Sequence, residues 1–161
     1  MMAGNPLRGS DEKLEAFWKN CWDYIPAEDR NASFSSWFFG DSPELADDLL
    51  ALVLEGKKTA TCGALFDYEY DNEDPPEQGS YHILTDFAGM PRCLIQMTSV
   101  SLAAFCDVSE EFALAEGEGT FAEWRRAHQE FFTRRAEATG NSFNKDTLLV
   151  LERFKLIYPV K

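Results

Sequence analysis

The sequence predicts an α+β domain on a mostly antiparallel sheet that curls toward a small barrel. Two observations carry this. Amphipathic helical stripes flank groups of short runs rich in β-branched and aromatic residues. The two kinds of segment do not alternate in the regular βαβ units that a parallel sheet needs.

Residues 1–10 are small and polar, broken by Pro6 and Gly9, and read as a frayed tail. From Asp11, the positions Leu14, Phe17, Trp18, Cys21, Trp22 and Ile25 repeat at helical spacing, and Pro26 closes that helix. Residues 27–36 read as loop, and Trp37-Phe38-Phe39 as a short apolar run before the turn pair Gly40-Asp41. The clearest helix follows. Asp41 or Ser42 can cap it, Pro43 suits its first turn, and Leu45, Leu49, Leu50, Val53 and Leu54 form its apolar stripe. Gly56 fits the left-handed position that ends it, with Lys57 and Lys58 near its carbonyl end.

Thr59 through Phe66 reads as a first strand. Residues 67–77, with six carboxylates and Pro75-Pro76, read as a solvated acidic loop. Ser80 to Asp86 and Pro91 to Leu102 look like paired strands around Phe87-Ala88-Gly89-Met90. Ser109 can cap a short helix through Ala115, which Gly117 and Gly119 break. Thr120 with Glu123 forms a capping box for a longer helix to about Thr139, and Gly140-Asn141 ends it. Thr147 to Tyr158 is a final strand rich in Leu, Val, Ile and Phe.

Composition narrows the function. The chain has 161 residues, enough for one domain with a real core, and 45% are hydrophobic. No apolar run reaches the length of a membrane span, and the leading residues lack a signal-peptide pattern. The four cysteines, Cys21, Cys62, Cys93 and Cys106, form no C-x-x-C pair and read as reduced thiols of a cytoplasmic protein. Net charge is −13, with 15 basic residues against 28 acidic ones. An extended phosphate footprint needs clustered cations, so duplex DNA is excluded as a partner and a small ligand in a pocket is favoured. Neither a metal nor another cofactor is expected.

The segment Gly56-Lys57-Lys58-Thr59-Ala60-Thr61 stands out, answered by Ala115-Glu116-Gly117-Glu118-Gly119. Together they offer ammonium groups, hydroxyls and carboxylates that can run amide or ester chemistry if they converge. These two segments also resemble the ASCH domain family. So do Phe39-Gly40-Asp41-Ser42-Pro43-Glu44-Leu45-Ala46-Asp47, Gly79-Ser80-Tyr81, Phe112-Ala113-Leu114, Trp124-Arg125-Arg126-Ala127-His128 and Glu152-Arg153-Phe154. The resemblance covers about residues 37–158 and is to a longer, bacterial-type subfamily. It implies a PUA-like fold, a small β-barrel with helices at its rim. Residues 1–36 are then an N-terminal tail and amphipathic helix packed on the domain, and residues 37–161 the domain itself.

The resemblance also implies a cleft for a nucleoside, a nucleotide or a short single-stranded RNA. Some members look like amidohydrolases acting on N4-acylated cytidine, which makes Lys58, Thr61 and Glu118 the catalytic candidates. Thr61 would be the nucleophile. Lys58 would be its base if a neighbour such as Lys57 held it neutral, and Glu118 would stabilise the charged lysine or shuttle the proton. In a regular strand Lys58 and Thr61 point to opposite faces, so their convergence requires Lys58 to precede the strand. Alternatively, Lys57, Thr59 and Thr61 share the ligand side. Further candidate ligand contacts are Tyr68, which can stack a base as can Tyr70, and Glu116, Trp124 and Arg125. Trp124 and His128 sit four apart on a face that reads as core. A non-catalytic RNA-binding PUA-type module and a ribonuclease are the alternatives. The latter would draw on His82 and His128, or on Mg²⁺ gathered by Glu110, Glu111, Glu116 and Glu118.

Overall fold

A computed structural model describes residues 12–160, so the expected tail at residues 1–10 lies outside the described residues. Five strands form one sheet: β1 (Phe34–Trp37), β2 (Ala60–Ala64), β3 (Tyr81–Thr85), β4 (Pro91–Ala104) and β5 (Leu148–Tyr158). Their spatial order is β1-β3-β4-β5-β2. Three of the four pairings are antiparallel, and β1 runs parallel to β3. Strands β1 and β2 occupy opposite edges, so the sheet is open and mixed. This corrects the expected barrel. Strand β1 begins at Phe34, inside residues 27–36, which read as loop because Phe34-Ser-Ser-Trp is short and half polar, and it ends at Trp37.

Among the described residues, five α-helices flank the sheet: α1 (Glu12–Asn20), α2 (Pro43–Leu54), α3 (Leu65–Asp71), α4 (Glu110–Ala115) and α5 (Phe121–Thr139). Their ends follow from local chemistry. Ser42 accepts a hydrogen bond from Leu45 N at the start of α2, and Ser109 accepts one from Phe112 N at the start of α4. Thr120 and Glu123 complete a reciprocal capping box on α5. Helix α1 is shorter than its apolar stripe predicts, because the chain tightens into a 3₁₀ turn at Trp22–Tyr24 before Pro26. The strand predicted to Phe66 ends at Ala64. From Leu65 the chain turns into α3, which takes the first part of the expected acidic loop.

Each sheet face carries its own apolar layer, as period-two alternation requires. On one face Leu14, Trp18, Cys21 and Ile25 pack on Tyr81, Ile83 and Leu94. The other face is larger. There Leu49, Leu50 and Val53 of α2 and Trp124, Phe131 and Phe132 of α5 cover Ala60, Cys62, Leu84, Cys93, Ile95 and Met97. Adjacent residues on β3 and β4 thus serve opposite layers. Among the described residues no helix is long and apolar enough to cross a membrane.

Candidate functional site

The site begins where α2 ends. Gly56 adopts φ 75°, a left-handed turn that a side chain would oppose. This lets the amides of Lys57 and Lys58 both return to the Leu52 carbonyl, at 2.9 and 3.1 Å. Thr59 N then donates to Ala115 O at 2.8 Å, tying the turn to the end of α4. Just beyond, Gly117 has φ 72°, and a Cβ there would lie 2.7 Å from Lys57 O. Two backbones touch at this point, and only glycine permits it.

That closure drives Lys58 inward. Its side chain is 0% exposed, and its ammonium contacts Glu118 Oε2 at 2.7 Å and Glu116 Oε2 at 2.9 Å. The Nζ also lies 5.2 Å from the centre of the Phe39 ring. Glu116 Oε1 accepts from Trp124 Nε1 at 3.1 Å. His128 Nδ1 lies 2.8 Å from the Trp124 carbonyl, which accepts, so this nitrogen carries the hydrogen. Its Nε2 faces Glu116 Oε2 at 3.4 Å. Among the described residues, one cation thus meets two carboxylates in a buried space, with indole and imidazole on the far side.

These contacts fix protonation. Burial opposes a charge on Lys58, but Glu116 and Glu118 outweigh it and hold the ammonium protonated above lysine's usual range. Burial likewise works to raise the Glu116 carboxyl, yet Lys58 and then His128 keep it well below the usual carboxylate range. This corrects the expectation of a neutral Lys58 acting as base. Lys57 is no cationic neighbour of it either, since its side chain is exposed and pairs with Glu55 at 2.6 Å.

Lys58 precedes β2, which begins at Ala60. Thr61 is fully buried. Its cross-strand partner on β5 is Glu152. Glu152 is also fully buried, and its Oε1 accepts from Tyr68 Oη at 2.6 Å. Burial pushes the Glu152 carboxyl up to about 7, with Glu116 adding to the rise and Tyr68 and Lys58 opposing it. Tyr68 therefore stands inside α3 on a buried carboxyl, not on an exposed strand end, whereas Tyr70 is 61% exposed. Thr59 Oγ1 donates to Ala115 O at 3.3 Å, at the exposed lip of the turn. Arg125 lies outside the cluster, 4.7 Å over the Phe121 ring, and donates to Cys106 O.

Residue reading missed two members. His128 read as core, and it is buried, but it touches the charged cluster. Glu152 entered only as part of the family resemblance. Its signal was a carboxylate alternating with Val150 and Phe154 on the buried face of a strand. His82 is remote from His128. Its Nδ1 accepts from Trp37 Nε1 and its Nε2 meets Ser80 Oγ, so no paired histidines form.

Cys62 Sγ, a Glu116 oxygen and a His128 nitrogen lie within 4.8 Å of one another, the kind of donor set that binds a soft cation. Glu116 Oε2 already holds the Lys58 ammonium at 2.9 Å. Burial, with Glu116 beside it, pushes the Cys62 thiol well above its usual range, against the thiolate that a metal requires. The chemistry of these donors fits an ammonium better than a metal.

Comparison with known proteins agrees with this geometry. The family model for the ASCH domain matches residues 35–158. An ASCH domain from Lactobacillus crispatus JV V101, known by crystal structure, is 35% identical with a TM-score of 0.85. The match covers 94% of this chain and 98% of that one. Protein EF3133 from Enterococcus faecalis V583 is 34% identical with a TM-score of 0.80, covering 91% of this chain and 88% of that one. No curated protein matches. The chain belongs to the ASCH domain family.

Proposed function

We propose that this ASCH domain binds a nucleoside or nucleotide beside the Lys58–Glu116–Glu118 cluster and hydrolyses the exocyclic amide of an N4-acylated cytidine. The observation that carries the reading is the buried ammonium itself. Burying one cation with two carboxylates is a poor way to stabilise a fold, since apolar residues of similar volume do as well or better. Such a cluster is retained for what it does to a ligand. Lys58, permanently charged, serves as the electrophile: it draws electrons from the acyl carbonyl and stabilises the oxyanion that forms. The Thr61 hydroxyl is the nucleophile. Glu118, whose side chain is 7% exposed, is the edge of the charged trio open to the surface. Glu116 is held from behind by Trp124 and keeps Lys58 oriented.

The test is turnover of N4-acetylcytidine, run beside retention and cleavage of a mixed RNA. Wild-type protein should release cytidine and acetate, and Lys58→Ala and Thr61→Val should each lower turnover by a hundredfold or more, on the order expected for such roles. Glu118→Gln, the mildest change, guards against misfolding of the other two. Salt-sensitive retention of RNA without turnover would replace this reading with a non-catalytic RNA-binding module. EDTA-resistant RNA cleavage would replace it with a ribonuclease.

A further inference from the structure

The sheet has an edge that neither β1 nor β2 accounts for. Strand β1, on one side, is only 4 residues long, and all 5 residues of β2, on the other, are buried. The further edge lies within β4. Strand β3 pairs with β4 only from Pro91 to Gln96, and the turn before β3 reaches no further than Met97. From Ser99 to Ala104 the strand is held on one side by β5, and no described strand lies on the other. Ser99, Ser101 and Leu102 are exposed there, Leu102 by 57%.

An open edge presents a row of backbone N–H and C=O groups ready to pair with another chain. Proteins blunt such edges with lysines, prolines or bulges. This one has a register shift at Met97–Ser99 and no other guard. No charged residue and no proline occurs between Cys93 and Cys106.

We infer that this stretch is the docking surface for a second copy of the chain, paired antiparallel through the same residues about a two-fold axis at Ser101. A two-fold interface must be complementary to itself. The sequence meets that condition in this register. Antiparallel partners share a face of the sheet, so Leu102 lies opposite the partner's Val100, and Val100 opposite the partner's Leu102. Ser99 lies opposite the partner's Ala103, and Ser101 meets its own copy. The exposed leucine thus finds an apolar neighbour twice over. Each copy carries a net charge of −13, which opposes association in general. Along this edge no carboxylate is set against another. None of these residues belongs to the Lys58–Glu116–Glu118 cluster, so the inference stands independently of amide hydrolysis.

Sedimentation velocity of the full chain across about 1–300 μM is the first measurement. Wild type should pass from monomer to dimer as concentration rises. Higher salt should favour the dimer, because it screens the −13 charge of each copy. Leu102→Lys sets an ammonium at the centre of the edge and should keep the chain monomeric over the same range. Leu102 is exposed, so a circular dichroism melt should show the variant folded. Cross-linking then reads the register, in a Cys106→Ser background because Cys106 is the exposed thiol. Ser101→Cys places two thiols opposite each other on the axis, and oxidation by diamide should give a covalent dimer. Ser99→Cys leaves its two thiols about 13 Å apart along the strands and should not cross-link. A wild type that stays monomeric throughout overturns the inference and leaves the edge to a strand from another protein. A dimer that survives Leu102→Lys lies on another surface and overturns it too. So does a dimer that cross-links through Ser99→Cys as readily as through Ser101→Cys. If Leu102→Lys fails to fold, the two cysteine variants decide.

Discussion

The two edges of the sheet bury polar groups in opposite ways. At the β1–β3 edge the buried polar residues are Ser36, His82 and Thr85, and the bonds made by His82 are neutral. Trp37 donates to His82 Nδ1 at 3.0 Å, which leaves the hydrogen on Nε2, and that nitrogen meets Ser80 Oγ at 2.8 Å. Ser80 in turn donates to Glu77 O at 2.6 Å. At the β2–β5 edge the buried polar residues are Thr61 and the ionisable Lys58, Asp67, Glu116, His128 and Glu152. The first edge satisfies its polar atoms without charge, as a core should. The second concentrates ions where solvent cannot screen them. One fold thus contains both a stable way to bury polarity and an expensive one, and the expensive one coincides with the candidate site.

Breaking the charged edge should have the largest effect. Lys58→Met leaves Glu116 and Glu118 facing each other without a cation, and should reduce stability by about 3–5 kcal/mol. Urea denaturation at pH 7 measures it. A loss well below 2 kcal/mol would mean that water reaches the cluster freely, on the scale expected of exposed pairs.

Titration sharpens the contrast, because the two edges carry opposite signs. Burial lowers His82 from 6.5 to about 4, so its folded form resists the proton that the unfolded chain accepts. Its contribution is fully present above pH 6.5 and fades as pH falls toward 4. Glu152 is raised to about 7, so burial penalises its ionised form. That penalty is absent in acid, grows as pH rises from the ordinary carboxylate value, and is complete above 7. Relative to wild type, Glu152→Gln should therefore gain stability between pH 4 and pH 7, by on the order of 3 kcal/mol. His82→Gln should lose the acid-side fall of similar size. Denaturation midpoints every half pH unit would show the two differences running in opposite directions.

Smaller effects belong to pairs nearer the surface. Asp67 is raised by burial although Arg135 opposes this through a two-point contact, at 2.9 Å and 3.2 Å on Oδ1. Arg135→Met should reduce stability by about 1–2 kcal/mol by stranding that carboxylate. The pair Arg134–Asp41, at 3.1 Å with the arginine half exposed, should matter least. Arg134→Ala should change stability by no more than about 0.5 kcal/mol in thermal melts.

Much of this was legible in the sequence where local chemistry decides structure. Helix α2, its serine cap and its terminal Gly56 follow from a capping residue, a proline, a leucine stripe and a glycine in order. The Thr120–Glu123 box is a short-range signal and forms as read. The approach of Glu118 to Lys58 was expected from the family motif, since their separation along the chain carries no local cue. What failed depends on contacts distant in sequence. Strand β1 exists because β3 offers it a parallel edge, not because Phe34-Ser-Ser-Trp favours extension alone. Barrel closure was expected from the fold family, and pairing between strands far apart in sequence decided against it. The charge state of Lys58 turned on Glu116 as well as Glu118, and a single carboxylate would have been a weaker hold. Asp67 looked like one more acid in a solvated run until α3 turned it toward Arg135 on α5.

The contact of Gly117 against the Lys57 carbonyl sets the scale of what evolution can alter here. The main chain itself welds the two halves of the cluster, through Thr59 N to Ala115 O and through the absent side chain at Gly117. Side chains around this weld can be exchanged and new substrates tried while the spacing between ammonium and carboxylates stays put. Even alanine at position 117 would pry the clamp open and misalign the whole assembly at once.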